Sequence, residues 1–249
     1  MRWRIADTVR SRAARAVTGA SSSLPPEGFH VKQEGTGAPV IEAEPAVASE
    51  LAGDRISVLR RFADDLGTRG ELLGLIGPQE AERLWSRHVL NCAVLAPLIA
   101  PGARVADIGT GGGLPGLVLA ILRSDAHFRL IEPMERRCAW LSEQIETLGL
   151  ENAEVLRGRA EEYHGAWEVD IVTARAVTAL RKLVPLTAPL LRNGGEMLFL
   201  KGVSVQSEID AAAKALRAHR VTEVEVRELG AGQLDETTRA FRAVVQRPA

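Results

Sequence analysis

A glycine-rich segment is the part of this sequence best suited to bind a ligand. It reads Asp107-Ile108-Gly109-Thr110-Gly111-Gly112-Gly113, between an apolar stretch and a predicted helix. Gly111, Gly113 and Gly116 also satisfy the dinucleotide pattern G-x-G-x-x-G. Glycine lets the backbone approach a ligand closely, and the following helix offers free N–H groups at its start. Taken alone the pattern is weak, because a tight turn that binds nothing has the same glycines.

Two acidic residues narrow the choice of ligand. Asp107 ends the first predicted strand, and Glu132 ends the next strand about 20 residues beyond the loop, the offset of a carboxylate that accepts from ribose hydroxyls. Dinucleotides and S-adenosylmethionine both fit this geometry. A carboxylate at position 107 would repel a pyrophosphate but favour the cationic amino and sulfonium groups of S-adenosylmethionine. The residues therefore favour the methyl donor, with a dinucleotide as the alternative.

Other catalytic constellations are missing from the sequence. No metal site is expected, because the histidines and cysteines do not cluster, and no G-x-S-x-G motif is present. Cys138 follows Arg136 and Arg137, which could lower its pKa, but we interpret it as structural. The sequence also lacks the Asp/Asn-Pro-Pro-Tyr motif of amino-group methyltransferases, which argues against an exocyclic amine as the target. The scattered residues are His30, His88, His127, His164, His219, Cys92 and Cys138.

Basic residues recur where the predicted strands end. Loops at the carboxyl ends of parallel strands build the binding site in such folds, so several of these residues should face one rim. Contact with RNA phosphates and a merely solvated surface are both open interpretations. The residues are Arg136, Arg137, Arg157, Arg159, Arg175, Arg181, Lys182 and Lys201.

Strands alternate with helices after residue 101, which predicts a mainly parallel sheet covered on both faces. The last two strands have no helix between them and should form an antiparallel hairpin. The predicted strands are Arg104–Gly109, Phe128–Glu132, Ala153–Leu156, Val169–Ala174, Glu196–Lys201, Val221–Leu229 and Arg239–Val245. The predicted helices include Gln79–Ile99, Leu117–Leu122, Arg181–Leu191 and Ser207–His219.

The segment before this core divides in two. Residues 1–17 carry several arginines, and residues 18–48 are rich in Gly, Ser, Pro, Ala and Glu without periodicity. We expect residues 1–48 to form a disordered extension. Residues 49–249 are expected to form the catalytic domain, with a helical part at 49–100 and a Rossmann-like core at 101–249.

The composition is that of an ordinary globular domain. The chain has 249 residues, 46% apolar and 25% charged, with a net charge of −1. That charge gives no general attraction to nucleic acid, so an RNA partner would need a local basic face. No apolar run approaches the roughly 20 residues of a membrane span. We expect a cytoplasmic monomer that does not associate with membranes.

The loop and several segments around it resemble the RsmG family, also called glucose-inhibited division protein B. The ending Leu114-Pro115-Gly116 is more specific than the generic methyltransferase loop. The resemblance covers about residues 50–247. The other matching segments, in chain order, are Arg87-His88, Glu132, Arg136-Arg137, Trp140-Leu141, Leu148-Gly149-Leu150-Glu151-Asn152, Arg159-Ala160-Glu161-Glu162, Ala174-Arg175-Ala176 and Leu200-Lys201-Gly202.

The resemblance implies a class I S-adenosylmethionine-dependent methyltransferase with a seven-stranded sheet. Its expected product is N7-methylguanine at one position of 16S ribosomal RNA, in the small ribosomal subunit or an assembly intermediate. The donor would be bound by Asp107, Gly109, Gly111 and Leu114 at the loop, Glu132 at the ribose, Ala160 and Glu161 at the adenine, and Arg175 near the reacting site.

No catalytic base is assigned, since guanine N7 already carries a lone pair. Arg175, Lys201 and His88 are candidates for positioning the substrate, although His88 fits a capping or core role equally well. The chain departs from the family pattern at Asn91-Cys92, where Asp-Ser is usual, at Gly112, where proline is common, and at residues 68–74. A small-molecule or protein methyltransferase and a non-catalytic RNA- or nucleotide-binding module are the competing hypotheses.

Overall fold

A computed structural model describes residues 40–247 of the chain. The expected extension at residues 1–48 therefore lies mostly outside the described residues. Seven strands form one sheet, and they are β1 (Arg104–Ile108), β2 (His127–Glu132), β3 (Ala153–Arg157), β4 (Val169–Arg175), β5 (Leu191–Lys201), β6 (Val221–Leu229) and β7 (Thr238–Val245).

The strand order in the sheet is β3-β2-β1-β4-β5-β7-β6. Strands β1 to β5 are parallel, and β7 lies antiparallel between β5 and β6. This confirms the predicted fold class, including the antiparallel C-terminal pair. The order reverses between β1 and β4, and in open α/β sheets the crevice at that reversal is where ligands bind.

Helices cover both faces of the sheet. They are α1 (Val47–Ala52), α2 (Ile56–Arg69), α3 (Leu90–Ala93), α4 (Gly116–Leu122), α5 (Glu135–Leu148), α6 (Leu180–Thr187) and α7 (Val205–Ala218). One buried apolar cluster joins helices α1, α2, α3, α4 and α5 with one face of the sheet, and a second joins α6 and α7 with the other face. No helix within residues 40–247 is long and apolar enough to cross a bilayer.

The region from Gln79 to Ile99 is not the single helix predicted from its apolar spacing. It consists of a 3-10 turn at Glu80–Arg83, a π-helical stretch at Leu84–Val89, the short helix α3, and a further 3-10 turn at Ala96–Leu98. A π-helical turn widens the backbone ring and commonly marks a functional position. Here it includes His88.

The junction between α6 and β5 also differs from the prediction. We predicted a helix to Leu191 and a strand from Glu196, whereas α6 ends at Thr187 and β5 begins at Leu191. A 3-10 turn at Ala188–Leu190 separates the helix from the strand. Pro189 lies in this turn and has no backbone N–H to continue the helical hydrogen bonds. In β4, Val169 pairs with Leu191 of β5 and Ile171 pairs with Glu196 of β5. An advance of two residues in β4 therefore matches an advance of five residues in β5, and the glycine-containing segment between Leu191 and Glu196 bulges out of the sheet.

Residues 40–48, assigned to the extension from their composition, contact the helical part. The backbone N–H of Glu42 donates to Ala81 O at 2.9 Å, and the Glu42 carboxylate accepts from Ser86 N at 2.9 Å. Ala48, on α1, is completely buried. The packed part of the chain therefore includes residues that the sequence alone gave no reason to place there.

Candidate functional site

The glycine loop lies where the sheet order reverses, between the end of β1 and the start of α4. Gly109 and Gly111 have φ values of 65° and 56°. This left-handed backbone is easy for glycine and costly for other residues. A Cβ at Gly109 would lie 3.0 Å from Val177 Cγ2, whereas one at Gly111 would meet nothing closer than 3.8 Å. The loop thus forms a narrow cradle against the segment after β4, with open space above Gly111.

Asp107 lies beneath this loop and is completely buried. Its Oδ2 accepts a hydrogen bond from Gly116 N at 2.9 Å, and its Oδ1 accepts from Thr173 Oγ1 at 2.8 Å. The carboxylate therefore joins β1 to β4 and to the first turn of α4. Both carboxylate oxygens of Asp107 accept hydrogen bonds from the protein, and its expected role toward the cationic groups of the methyl donor stays a prediction.

Burial also raises the pKa of Asp107 to about 6, against the lowering effect of its hydrogen bonds. A raised pKa adds stability that is complete below the unfolded-state value of 3.8 and is lost as the pH rises through about 6. We predict that the wild type gains about 1 kcal/mol in unfolding free energy relative to Asp107→Asn between pH 8 and pH 5. Urea titrations of both proteins at several pH values would measure this difference.

The comparison with Asp107→Asn is needed because another buried group opposes the trend. The pKa of His88 is lowered, first by burial and then by the charge of Arg175. His88 therefore makes the unfolding free energy of the protein decrease as the pH falls below the ordinary histidine pKa of 6.5. That contribution is common to both proteins and cancels in the difference. A difference that stays constant from pH 8 to pH 5 would contradict the raised pKa of Asp107.

Glu132 ends β2 and is 2% exposed. Its Oε2 accepts from Gly111 N at 3.0 Å and its Oε1 accepts from Met134 N at 3.0 Å. The carboxylate thus holds the loop at its centre. Each carboxylate oxygen has a second lone pair, which leaves capacity for the ribose hydroxyls that we predict it accepts from.

The remaining predicted donor contacts lie along the same edge of the sheet. Ala160 and Glu161 begin a 3-10 turn directly after β3, with Ala160 buried and Glu161 exposed. Leu114, at the end of the loop, is partly exposed. Glycine backbone, apolar surface and carboxylates at the ends of three adjacent strands fit S-adenosylmethionine, whose adenine, ribose and cationic groups need those three kinds of contact. The side-chain roles here stay predictions.

Arg175 ends β4 and joins a chain of side chains from three segments. Its Nη2 lies 2.5 Å from His88 Nδ1, its Nη1 lies 3.6 Å from Cys92 Sγ, and His88 Nε2 lies 2.6 Å from Glu80 Oε2. A guanidinium only donates, so His88 Nδ1 must be the acceptor and its Nε2–H must donate to Glu80. The neutral His88 therefore orients Arg175. Cys92 stands at a family serine position and supplies only a weak sulfur acceptor.

A cleft of about 440 Å³ opens beside the glycine loop. Its floor includes the loop after β4, where Ala176 has the uncommon φ of 53°. The side chains that matter to its chemistry are Arg87, Asn91, Arg175, Val177, Lys201 and Glu208. Since Val177 also faces Gly109, the cleft and the cradle share one wall.

Lys201, a candidate for positioning the substrate, has protein partners in the structure. Its Nζ lies 2.7 Å from Glu208 Oε2 and donates to Thr178 O at 3.1 Å. Glu208 Oε2 also accepts from Leu180 N at 3.0 Å. This group of contacts fixes the loop between β4 and α6, so Lys201 supports the cleft from one side.

Sequence reasoning missed Glu208, Asn91 and Val177 as cleft residues. Glu208 could have been found, because it lies in the first turn of the helix that follows β5, at the edge where sites form in such sheets. Asn91 Nδ2 donates to Thr238 Oγ1 at 2.7 Å, a contact between residues far apart in the chain that no local sequence pattern indicates.

Cys138, as predicted, has a structural contact: its thiol donates to Glu132 O at 3.1 Å, and burial raises its pKa.

Comparison with known proteins adds an independent line of support. Residues 55–237 match the family model described as rRNA small subunit methyltransferase G. A ribosomal RNA small subunit methyltransferase G from Clavibacter michiganensis is 58% identical over 206 residues, covering 83% of this chain and 97% of that protein.

Solved structures support the fold. A SAM-dependent O-methyltransferase from Thermotoga maritima is 17% identical, with a TM-score of 0.53 over 64% of this chain and 66% of its own. TYW2 of M. jannaschii, solved in complex with AdoMet, is also 17% identical, with a TM-score of 0.51 over 66% and 78% of the two chains. Fold, loop and sequence agree, and this chain belongs to the rRNA small subunit methyltransferase G family.

Proposed function

We propose that this chain transfers the methyl group of S-adenosylmethionine to N7 of one guanine in the 16S RNA of the small ribosomal subunit. The observation that carries the proposal is the cleft that shares the Val177 wall with the glycine loop. A base in that cleft would lie next to a donor in the cradle. Family membership supports RNA of the small subunit as the substrate.

The reaction needs positioning rather than proton removal. When bound, S-adenosylmethionine supplies an electrophilic methyl group on a sulfonium. The N7 lone pair forms the new bond to the methyl carbon while the carbon–sulfur bond breaks, its electron pair stays on sulfur, and the positive charge moves to the base. Holding the two reactants in line can supply much of the rate enhancement. Gly109, Val177 and Arg175 would set that alignment.

The surroundings of the cleft suit an RNA. Arg87 lines the cleft and is exposed. Arg181 and Lys182 are exposed on α6, which begins directly after the cleft residues Thr178 and Ala179. Cations of this kind bind phosphates and position a strand without reading its bases. The target base would have to be unstacked to enter, as base chemistry requires. Loop and cleft come from one chain, so we propose a monomer that works in the cytoplasm, where ribosomes are assembled.

The decisive experiment maps 7-methylguanosine on 16S RNA by borohydride–aniline cleavage. We expect one cleavage site in the wild-type strain, its loss in a strain lacking this gene, and its return on complementation. Cleavage that persists in the deletion strain would point to a small molecule or a protein as the substrate. Calorimetry with S-adenosylmethionine addresses the non-catalytic alternative, for which no binding is expected.

A further inference from the structure

The cleft contains one feature that methyl transfer to N7 does not itself require. Among the described residues that line it, Glu208 alone carries a carboxylate, and its side chain is 22% exposed. A carboxylate in a cleft for RNA is unfavourable unless it meets a hydrogen-bond donor, because phosphates repel it. Lys201 offsets this charge in the free protein, and a hydrogen-bond donor on the ligand would offset it further in the complex.

The contacts of Glu208 leave one oxygen available. Lys201 Nζ and Leu180 N both approach Oε2, at 2.7 Å and 3.0 Å. No residue among those described donates a hydrogen bond to Oε1. The pairing with Lys201 and Leu180 fixes the carboxylate in place, so Oε1 is held in a defined direction at low entropic cost on binding.

Guanine offers the donors that such a carboxylate accepts. Its Watson–Crick edge presents N1–H and the N2 amino group, whereas adenine presents an acceptor at N1 and cytosine one at N3. N7 lies on the opposite edge of the guanine ring. A base held by Glu208 on the α7 side of the cleft would therefore direct N7 toward Val177 and Gly109.

We propose that Glu208 selects the target base by accepting hydrogen bonds from the Watson–Crick edge of guanine, a role that rests on the proposed function. Flipped bases are commonly read at this edge. Adenine in the same pose would place its N1 lone pair against the carboxylate, which is repulsive. Glu208 is thus a specificity residue, and Lys201 is the positioning residue that holds it.

The test compares guanosine with inosine at the methylated position. Inosine lacks only the N2 amino group and keeps N7, O6 and N1–H. The substrates are small subunits reconstituted with 16S RNA that carries either nucleoside, introduced by splinted ligation at the site mapped above. Methyl transfer from labelled S-adenosylmethionine gives kcat/KM for each.

The wild type should prefer guanosine by about 10- to 100-fold, the range expected for losing a hydrogen bond to a charged acceptor. Glu208→Gln should be slower on guanosine and should reduce the preference to about threefold or less. Asp210→Asn, an exposed carboxylate on the same helix, is the matched control and should keep the wild-type preference. Glu208→Asp, which retracts the carboxylate by one methylene, should also reduce the preference for guanosine. It replaces Glu208→Gln as the test variant if the glutamine variant does not fold.

Two results would overturn the role of Glu208. One is a wild type that methylates both substrates equally. The other is a Glu208 variant that loses activity by the same factor on both, which would mean that Glu208 only fixes the loop after β4. If the wild type fails on the guanosine substrate, the proposed function itself is wrong and this inference is rejected with it.

Discussion

Gly109→Arg is expected to weaken S-adenosylmethionine binding by at least about 100-fold, equivalent to about 2.7 kcal/mol. A Cβ at this position would lie 3.0 Å from Val177 Cγ2, and φ is 65°. The longer arginine side chain would have to pass through the cradle, and its positive charge would repel the cationic donor. Isothermal titration of the purified protein with S-adenosylmethionine measures the loss.

Gly102→Arg is the matched control for this variant. Gly102 is exposed and has a φ of 73°, but a Cβ there would meet nothing within 4 Å. The two variants therefore share the left-handed strain and the added charge and differ in the occupied space. We expect Gly102→Arg to bind the donor as the wild type does. Equal affinities for the two variants would show that the cradle is not the donor site.

Gly116→Ala is expected to destabilise the fold by about 2–3 kcal/mol, which corresponds to about 5–10 °C in Tm for a domain of this size. A Cβ on Gly116 would lie 2.4 Å from Leu130 Cδ2 and 2.6 Å from Asp107 Oδ2. Either α4 must move away from the sheet or the hydrogen bond from Gly116 N to Asp107 must lengthen. The higher helix propensity of alanine offsets part of this cost.

Calorimetric unfolding in the absence of donor tests this prediction. Gly77→Ala serves as the control, because a Cβ at Gly77 meets only Glu80 Cγ, at an ordinary 3.5 Å. We expect the Tm of this control to stay within about 2 °C of the wild type. A Gly116→Ala protein as stable as the wild type would mean that close packing of α4 against β1 and β2 is unnecessary.

Local sequence was sufficient for the strand and helix order and for the location of the glycine loop. Alternating apolar segments, glycines and prolines act over a few residues, so their effect on the backbone can be predicted without the tertiary structure. The errors occurred where longer contacts compete with local preference. The segment around His88 adopts π-helical turns, and β5 begins before its glycine pair because Leu191 pairs with Val169 in β4.

The roles of individual side chains were harder to predict. The spacing of Asp107 and Glu132 from the glycines predicted that both lie at the site. It did not predict which groups their carboxylates would face. Both carboxylates point to backbone N–H groups of the loop and of α4, where a buried charge finds the hydrogen bonds it needs. A spacing rule places a residue at a strand end, whereas side-chain direction depends on what packs around it.

The sequence by itself determined the fold class, the position of the glycine loop and the family, since each depends on residue types at short spacing. Only the tertiary structure decided that His88 orients Arg175, 87 residues away, and that Lys201 holds Glu208 at the cleft. Those pairings depend on the register of β4 and β5 and on how α7 and the π-helical segment pack against them. No local pattern encodes such distances, because they are set by the burial and hydrogen bonding of the whole sheet.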